Sequence, residues 1–306
     1  MVSMLISKLM GLLIVMLAGA GLSRVGLLDK TLRQGLNRLL FNFVLPMMVF
    51  SSMRSTMTRE LLSTSFVPVL LGAGLCFVNW GSARLLSMLF GIPCSERHLV
   101  SFLNMFGNNL YLGLPIALAV FGSEGVAVVL LFSLGSDTIL WTLGLLLLSP
   151  RQDISVNNFK QIFTPTLIGL VLGTLAGVIA LPLPLALTDA MTSVASTASP
   201  FALLLTGAAL AEIDFANGVF SKHVPVLVLG RLVVSPAIAA LALTFLTVDP
   251  MMSTMVVILA AMPTFVRSIV LTDKYGWNSQ QAAMGVLVTT LGSFLTIPLL
   301  VQFLGR

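Results

Sequence analysis

Arg267 carries the strongest chemical signal in the chain. It stands in the run LAAMPTFVRSIVLTDKYG, four residues after Pro263, inside a stretch apolar enough to lie in hydrocarbon. A guanidinium at such depth is costly unless an anion, water or a route to the interface relieves it. Its planar fork of donors matches a carboxylate. Two roles fit: recognition of an organic acid anion, or an internal ion pair that holds helices together. Pro263 and Thr264, just ahead of it, suit the first turn of a new half-helix, whose positive end favours an anion.

A second interrupted stretch reads NMFGNNLYLGLPIALAVFG, from Asn104 to Gly122. Gly107, Asn108, Asn109, Gly113 and Pro115 fall within it. Proline removes a backbone donor and clashes with the preceding turn, and glycine lowers the cost of unwinding. Unwound backbone at membrane depth survives only against protein or beside a wet cavity. Asn108 and Asn109 can satisfy freed backbone groups or offer amides to a ligand. Asp137, in LFSLGSDTILWTLG, is the acidic residue set well inside an apolar stretch. It suits a coupling proton or cation (H+ or Na+), an ion pair with Arg267, or a bond to loosened backbone.

Asn42, Pro46, Asn104, Ser199 and Pro200 are candidates for a supporting polar cavity, with Thr192, Ser196 and Thr197 forming either a polar path or a packing seam. Arg231 is expected to snorkel from the eighth apolar segment to the nearer face. His98 and His223 read as markers of the interface. Cys76 and Cys94 have neither disulfide nor metal-ligand spacing. No nucleotide-binding loop, zinc-protease helix or serine elbow occurs, so the reading is not an enzyme and requires no cofactor or metal.

The elements that must position these groups follow from composition. Of 306 residues, 57% are hydrophobic and 9% charged, against about a quarter charged in soluble domains. The mean hydropathy is +1.05. Such a chain cannot coat a water-facing surface, which excludes a soluble enzyme or a disordered scaffold. The net charge of +5 is dispersed rather than clustered, which argues against a nucleic-acid partner. A spanning helix needs about 20 apolar residues. On that rule the sequence predicts ten crossings, near 3–22, 34–53, 64–88, 99–121, 125–148, 162–180, 189–211, 223–246, 251–271 and 281–304.

Basic residues cluster in the odd-numbered connections, ten against four in the even-numbered connections and the two ends, with Arg231 and Arg267 inside expected helices. That bias puts those connections in the cytoplasm and both termini outside. Pro46 and Pro200 are 154 residues apart, as are Gly19 and Gly173, and Gly122 and Gly276. The offset suggests a repeat, and five crossings per copy would make the copies inverted, as in many secondary transporters. The expected organisation is a first five-helix repeat over 1–150, a cytoplasmic connection over 151–161 and a second, inverted repeat over 162–306.

These runs resemble the auxin efflux carrier family, which includes plant auxin exporters and bacterial malonate- or malate-type carriers. The family's NTGFLGLP-like stretch reads NNLYLGLP here, retaining Asn108, Gly113 and Pro115, with Asn109 at a threonine and Leu110 at a glycine. A pattern like MPTAVNAFVLAEEYG reads MPTFVRSIVLTDKYG, with Met262, Pro263, Thr264, Tyr275 and Gly276 matching and Phe265 and Arg267 departing. The opening AGLSRVGLLDK and LNRLLFNFVLP also resembles the family's first hairpin.

The resemblance implies an all-α polytopic membrane protein with ten transmembrane helices in two inverted repeats. Its broken helices four and nine would cross as in bile-acid sodium symporters. It implies a secondary transporter of a small organic acid anion, auxin-like or dicarboxylate, in a bacterial inner membrane, with a homodimer possible in the lipid bilayer. Asn108, Asn109, Gly113, Pro115, Pro263, Thr264 and Arg267 become the expected substrate-binding residues. A sodium-coupled symporter of bile-acid type and a non-transporting organic-acid sensor are the alternatives.

Overall fold

The computed structural model describes residues 2–59, 65–148, 164–211 and 222–304. The described elements are helices apart from one isolated antiparallel bridge. In order they are α1 (Val2–Arg24), α2 (Lys30–Leu39), α3 (Leu45–Thr56), α4 (Phe66–Leu89), α5 (Arg97–Met105), α6 (Leu114–Ile139) and α7 (Leu145–Leu148). After them come α8 (Pro165–Val178), α9 (Leu185–Ser196), α10 (Ala198–Ala211) and α11 (His223–Leu229). The last four are α12 (Ser235–Leu243), α13 (Pro250–Ala260), α14 (Ser268–Lys274) and α15 (Ser279–Leu304).

Side chains fix several helix starts. The Asp29 carboxylate accepts the Leu32 N–H at 2.7 Å and starts α2. Thr164 Oγ1 accepts from Leu167 at 3.2 Å before Pro165, and Asp249 accepts from Met251 and Met252 before Pro250. Each supplies an acceptor for first-turn donors that have no partner within the helix.

Four turns are wider than an α-helix. They are the π-helical turns Leu40–Val44, Asn109–Gly113, Leu140–Gly144 and Gly230–Val234. Three are followed at their second residue by proline: Pro46, Pro115 and Pro236. A proline ring in a regular helix collides with the carbonyl four residues back, at Asn42, Tyr111 and Leu232 respectively. All three carbonyls lie inside the widened turns, which provide the missing space. The Leu45, Leu114 and Ser235 N–H groups reach back instead to Leu40, Asn109 and Gly230.

The number of crossings differs from the ten expected. Among the described residues, six helices are long and apolar enough to cross a membrane: Lys30–Thr56, Phe66–Leu89, Asn109–Leu148, Leu185–Ala211, His223–Leu243 and Ser279–Gln302. Pro165–Val178, Pro250–Ala260 and the Met10–Arg24 part of α1 are shorter apolar helical stretches. Among the described residues the fold is therefore all-α and polytopic with six long apolar helices, not ten in two inverted five-helix repeats. Hydropathy windows register apolarity without registering continuity, and this accounts for the windows 99–121 and 251–271. The window 99–121 is divided between α5 and a later arm, and 251–271 between α13 and α14. The expected polar break after Gly122 is a single non-helical residue (φ 63°, ψ −147°) within one 40-residue span. Glycine alone adopts that backbone cheaply. The expected connection 151–161 lies outside the described residues.

Close helix contacts hold the assembly together. α1 lies along α10, α3 along α8, and α4 along α6. Gly19 sits on the Leu204 backbone, Gly207 on Met16, Gly72 on Phe132 and Gly135 on Val69, all too close to admit a Cβ. In lipid, where apolar burial drives association little, such approaches supply the packing. In the Ser/Thr stripe the Thr192, Ser196 and Thr197 hydroxyls are exposed and donate to carbonyls one turn earlier.

Candidate functional site

Two interrupted helices meet at the centre. After α5 the chain is non-helical from Phe106, which is extended, to Asn108, and after α13 it runs non-helically from Met262 to Phe265. The stretches pair antiparallel at Gly107 and Thr264. Asn108 N–H donates to the Pro263 carbonyl at 2.8 Å, and Phe265 N–H to the Phe106 carbonyl at 3.3 Å. Pro263 has no N–H, so it joins the pairing only as acceptor. Thr264 N–H donates to Thr289 Oγ1 at 3.1 Å, which ties the crossing to α15.

Several buried polar atoms here have no protein partner: Asn108 Nδ2, Asn109 Oδ1, Thr264 Oγ1, Asn104 Oδ1 and Ser133 Oγ. Buried polar groups normally have partners, so this concentration marks a place suited to a polar ligand or to water.

Three cavities converge beside the crossing. A vestibule of ≈ 590 Å³ is lined by Lys30, Arg33, Asn37, Gln280, Tyr111 and Arg267 among others, and among the described residues no carboxylate lines it. A second cavity of ≈ 150 Å³ includes Asn42, Ser133, Asp137, Thr166 and Arg267 in its wall. A third, of ≈ 20 Å³, lies between the two interrupted stretches and touches Asn108, Asn109, Ser136, Asp137 and Arg267. Arg267 is the residue common to all three. Its guanidinium lies over the Phe41 ring, and among the described residues no carboxylate comes within ion-pair distance of it.

The sequence candidates thus divide. Asn108, Asn109, Asp137 and Arg267 come together around the smallest cavity, and Asn42 lines the ≈ 150 Å³ one. Pro263 and Thr264 form the crossing backbone. Gly113 packs against Leu259 and Met262. Pro115 and Ser199 line a separate void of ≈ 10 Å³. The Pro46 carbonyl faces Gly169 on α8, and Pro200 is exposed. Asn104 lies behind the crossing, its side-chain amide donating to the Asn79 carbonyl at 3.1 Å.

One sequence expectation is corrected. Arg231 does not reach an interface: it is 1% exposed and bonds the carbonyls of Met262 and Asn104. Gly230 before it and Ser235-Pro236 after it, the same proline spacing as at Pro46, were the available signal. His223 is buried at the start of α11, its Nε2 2.7 Å from Glu96 Oε2. Phe41 and Trp141, which line both larger cavities, and Tyr111, which lines the vestibule and the ≈ 20 Å³ cavity, carried no sequence signal apart from any other apolar residue.

The chain is similar to known membrane transporters. The family model described as "Membrane transport protein" matches residues 4–160 and 154–301. An "Uncharacterized transporter" of Methanothermobacter thermautotrophicus is 24% identical, with 95% of each chain covered. Another of Methanocaldococcus jannaschii is 22% identical over 94% of each. A Rhizobium meliloti protein named "Putative malonate transporter" is 25% identical, covering 86% of this chain and 84% of its own. With the match running through nearly the whole chain, both interrupted stretches included, this polytopic membrane protein belongs to the membrane transport protein family, that of the auxin efflux carriers.

Proposed function

We propose that the chain is a secondary transporter that moves a small organic acid anion by alternating access. The observation that carries this reading is Arg267, which reaches the cationic vestibule, the inner cavity and the crossing at once. An anion entering past Lys30 and Arg33 is drawn by their field. It then meets a guanidinium whose geometry fits a carboxylate. Asn108, whose Nδ2 on the crossing has no partner, supplies an uncharged donor for a remaining oxygen, and Asn109 Oδ1 can accept from a protonated acid or from water.

Asp137 borders the same two inner cavities. An incoming carboxylate and Asp137 compete for the positive charge of Arg267, so protonation of Asp137 assists loading. This supports proton rather than obligatory cation coupling. The similarity to the Rhizobium meliloti protein makes malonate the first dicarboxylate to try.

Purified protein in proteoliposomes tests the reading. Radiolabelled malonate, succinate and an indole acid are offered across an imposed proton gradient. Saturable uptake of at least one is expected, with Arg267→Gln abolishing it or raising KM strongly while folded protein still reaches the bilayer. Near-normal uptake by Arg267→Gln would remove the basis of the proposal. Saturable binding without any flux would instead identify a sensor.

A further inference from the structure

The interior holds a second cation that the transport reading leaves unused. Arg231 projects from the widened turn Gly230–Val234 to the back of the crossing. Its Nε and Nη2 both donate to the Met262 carbonyl, at 3.0 and 2.6 Å, and Nη1 donates to the Asn104 carbonyl at 3.2 Å. Among the described residues no carboxylate lies within ion-pair distance of it.

Both carbonyls are freed by the interruptions. A continued helix would bond Asn104 O to the N–H of Asn108, but that group is given to Pro263. Met262 lies just past the end of α13, where the chain has left the helix. The guanidinium therefore sits where two helix C-terminal ends, both electronegative, converge. In transporters with broken helices, such unwound carbonyls are where a coupling Na+ is held.

The surroundings are shaped to the arginine. A Cβ on Gly107 would collide with Nη2, and one on Gly230 would strike the Asn104 side chain. The space left beside Arg231, Asn79 and Asn109 is ≈ 10 Å³, about one water molecule. A second cation there would face a fixed positive charge.

From this geometry we propose that Arg231 is a resident cation at the carbonyl site a coupling Na+ would otherwise take, so that the protein works without sodium. It is a positioning residue: it binds the ends of α5 and α13 and touches no substrate cavity described above. This goes beyond the transport reading, and its first test does not depend on transport.

Thermal unfolding of the purified protein is compared in NaCl, KCl and choline chloride at equal ionic strength. One common midpoint is expected, and a sodium-specific rise overturns the proposal. Arg231→Ala is expected to melt lower and to recover part of the loss in millimolar guanidinium but not in urea, with wild type indifferent to both. A midpoint unchanged by Arg231→Ala, or unaffected by guanidinium, overturns it. If Arg231→Ala does not accumulate folded, Arg231→Lys folding where Arg231→Met fails supports the proposal, and equal behaviour of the two overturns it.

In proteoliposomes, replacing sodium by choline is expected to leave flux unchanged. Flux that requires sodium overturns this inference while the transport reading stands. Absence of flux in both media overturns the transport reading and leaves the thermal comparison to decide the role of Arg231.

Discussion

The guanidinium carbon of Arg267 lies 5.1 Å from the centroid of the Phe41 ring. Phe41 in turn meets Tyr111 edge to face, with centroids 5.2 Å apart, and the Tyr111 hydroxyl donates to Asn37 Oδ1 at 2.7 Å. The chain of contacts runs from the vestibule wall to the crossing. Arg267 is thereby held between the cavities by a ring face, which leaves its fork of donors available to an anion.

Removal of that ring face should loosen the arginine without removing its charge. A cation–π contact is worth about 0.5–2 kcal/mol, depending on how far it is desolvated. Phe41→Leu is therefore expected to raise KM by roughly 2- to 30-fold, each 1.4 kcal/mol being about tenfold. The concentration dependence of uptake checks this. An unchanged KM would show that Arg267 needs no ring to place it.

Thr289 is a second support. Its hydroxyl accepts the Thr264 N–H at 3.1 Å and donates to the Gly285 carbonyl at 2.6 Å. Thr289→Val keeps the shape and orphans a buried donor, at a cost of about 1–3 kcal/mol. A lower melting midpoint and slower uptake are expected, with Thr289→Ser close to wild type in both. If valine and serine behave alike, the hydroxyl does not hold the crossing.

What the sequence made legible and what it left hidden follow one physical division. Scarcity of charge identifies a membrane chain whatever its contacts, and an arginine or aspartate in an apolar run is conspicuous because it is costly there. Arg267 and Asp137 were accordingly found, and they line common cavities. Helix continuity depends on where individual backbone hydrogen bonds go, which apolarity does not encode. Ten windows therefore became six long helices with shorter pieces between. Arg231 was misplaced for a related reason. Distance from a segment end suggested snorkelling, whereas its partners are carbonyls freed by interruptions 127 and 31 residues away in sequence. Phe41 and Trp141 stayed hidden because an aromatic beside a cavity reads like one facing lipid.

Close approach at Gly135 gives a prediction about folding alone. A Cβ there would meet the Val69 carbonyl and the Ala73 nitrogen, backbone atoms that cannot rotate away, whereas a Cβ on Gly74 meets nothing within 4 Å. Gly135→Ala is expected to cost about 1–3 kcal/mol through displacement of α4 from α6. Gly74→Ala should be neutral or up to about 1 kcal/mol stabilising, since alanine is the better helix former. Thermal midpoints of the two purified variants decide it, and equal midpoints would mean that the α4–α6 contact yields freely.

The last prediction concerns how anion movement is tied to protons. Asp137 is the carboxylate that lines the two inner cavities among the described residues, and Arg267 lines both with it. With Asp137 ionised, a substrate carboxylate enters a space already holding one negative charge. With Asp137 protonated, Arg267 is left to the substrate. Asp137→Asn fixes the neutral form, so loading no longer waits for a proton and movement no longer carries one. The variant is expected to exchange labelled substrate across the bilayer at a rate indifferent to pH, yet to lose accumulation driven by an imposed proton gradient. Asp137→Glu, which keeps the titrating group, should retain some gradient-driven uptake. Exchange and net uptake measured on the same liposomes separate coupling from binding. Gradient-driven accumulation with a wild-type pH profile in Asp137→Asn would place the coupling group elsewhere.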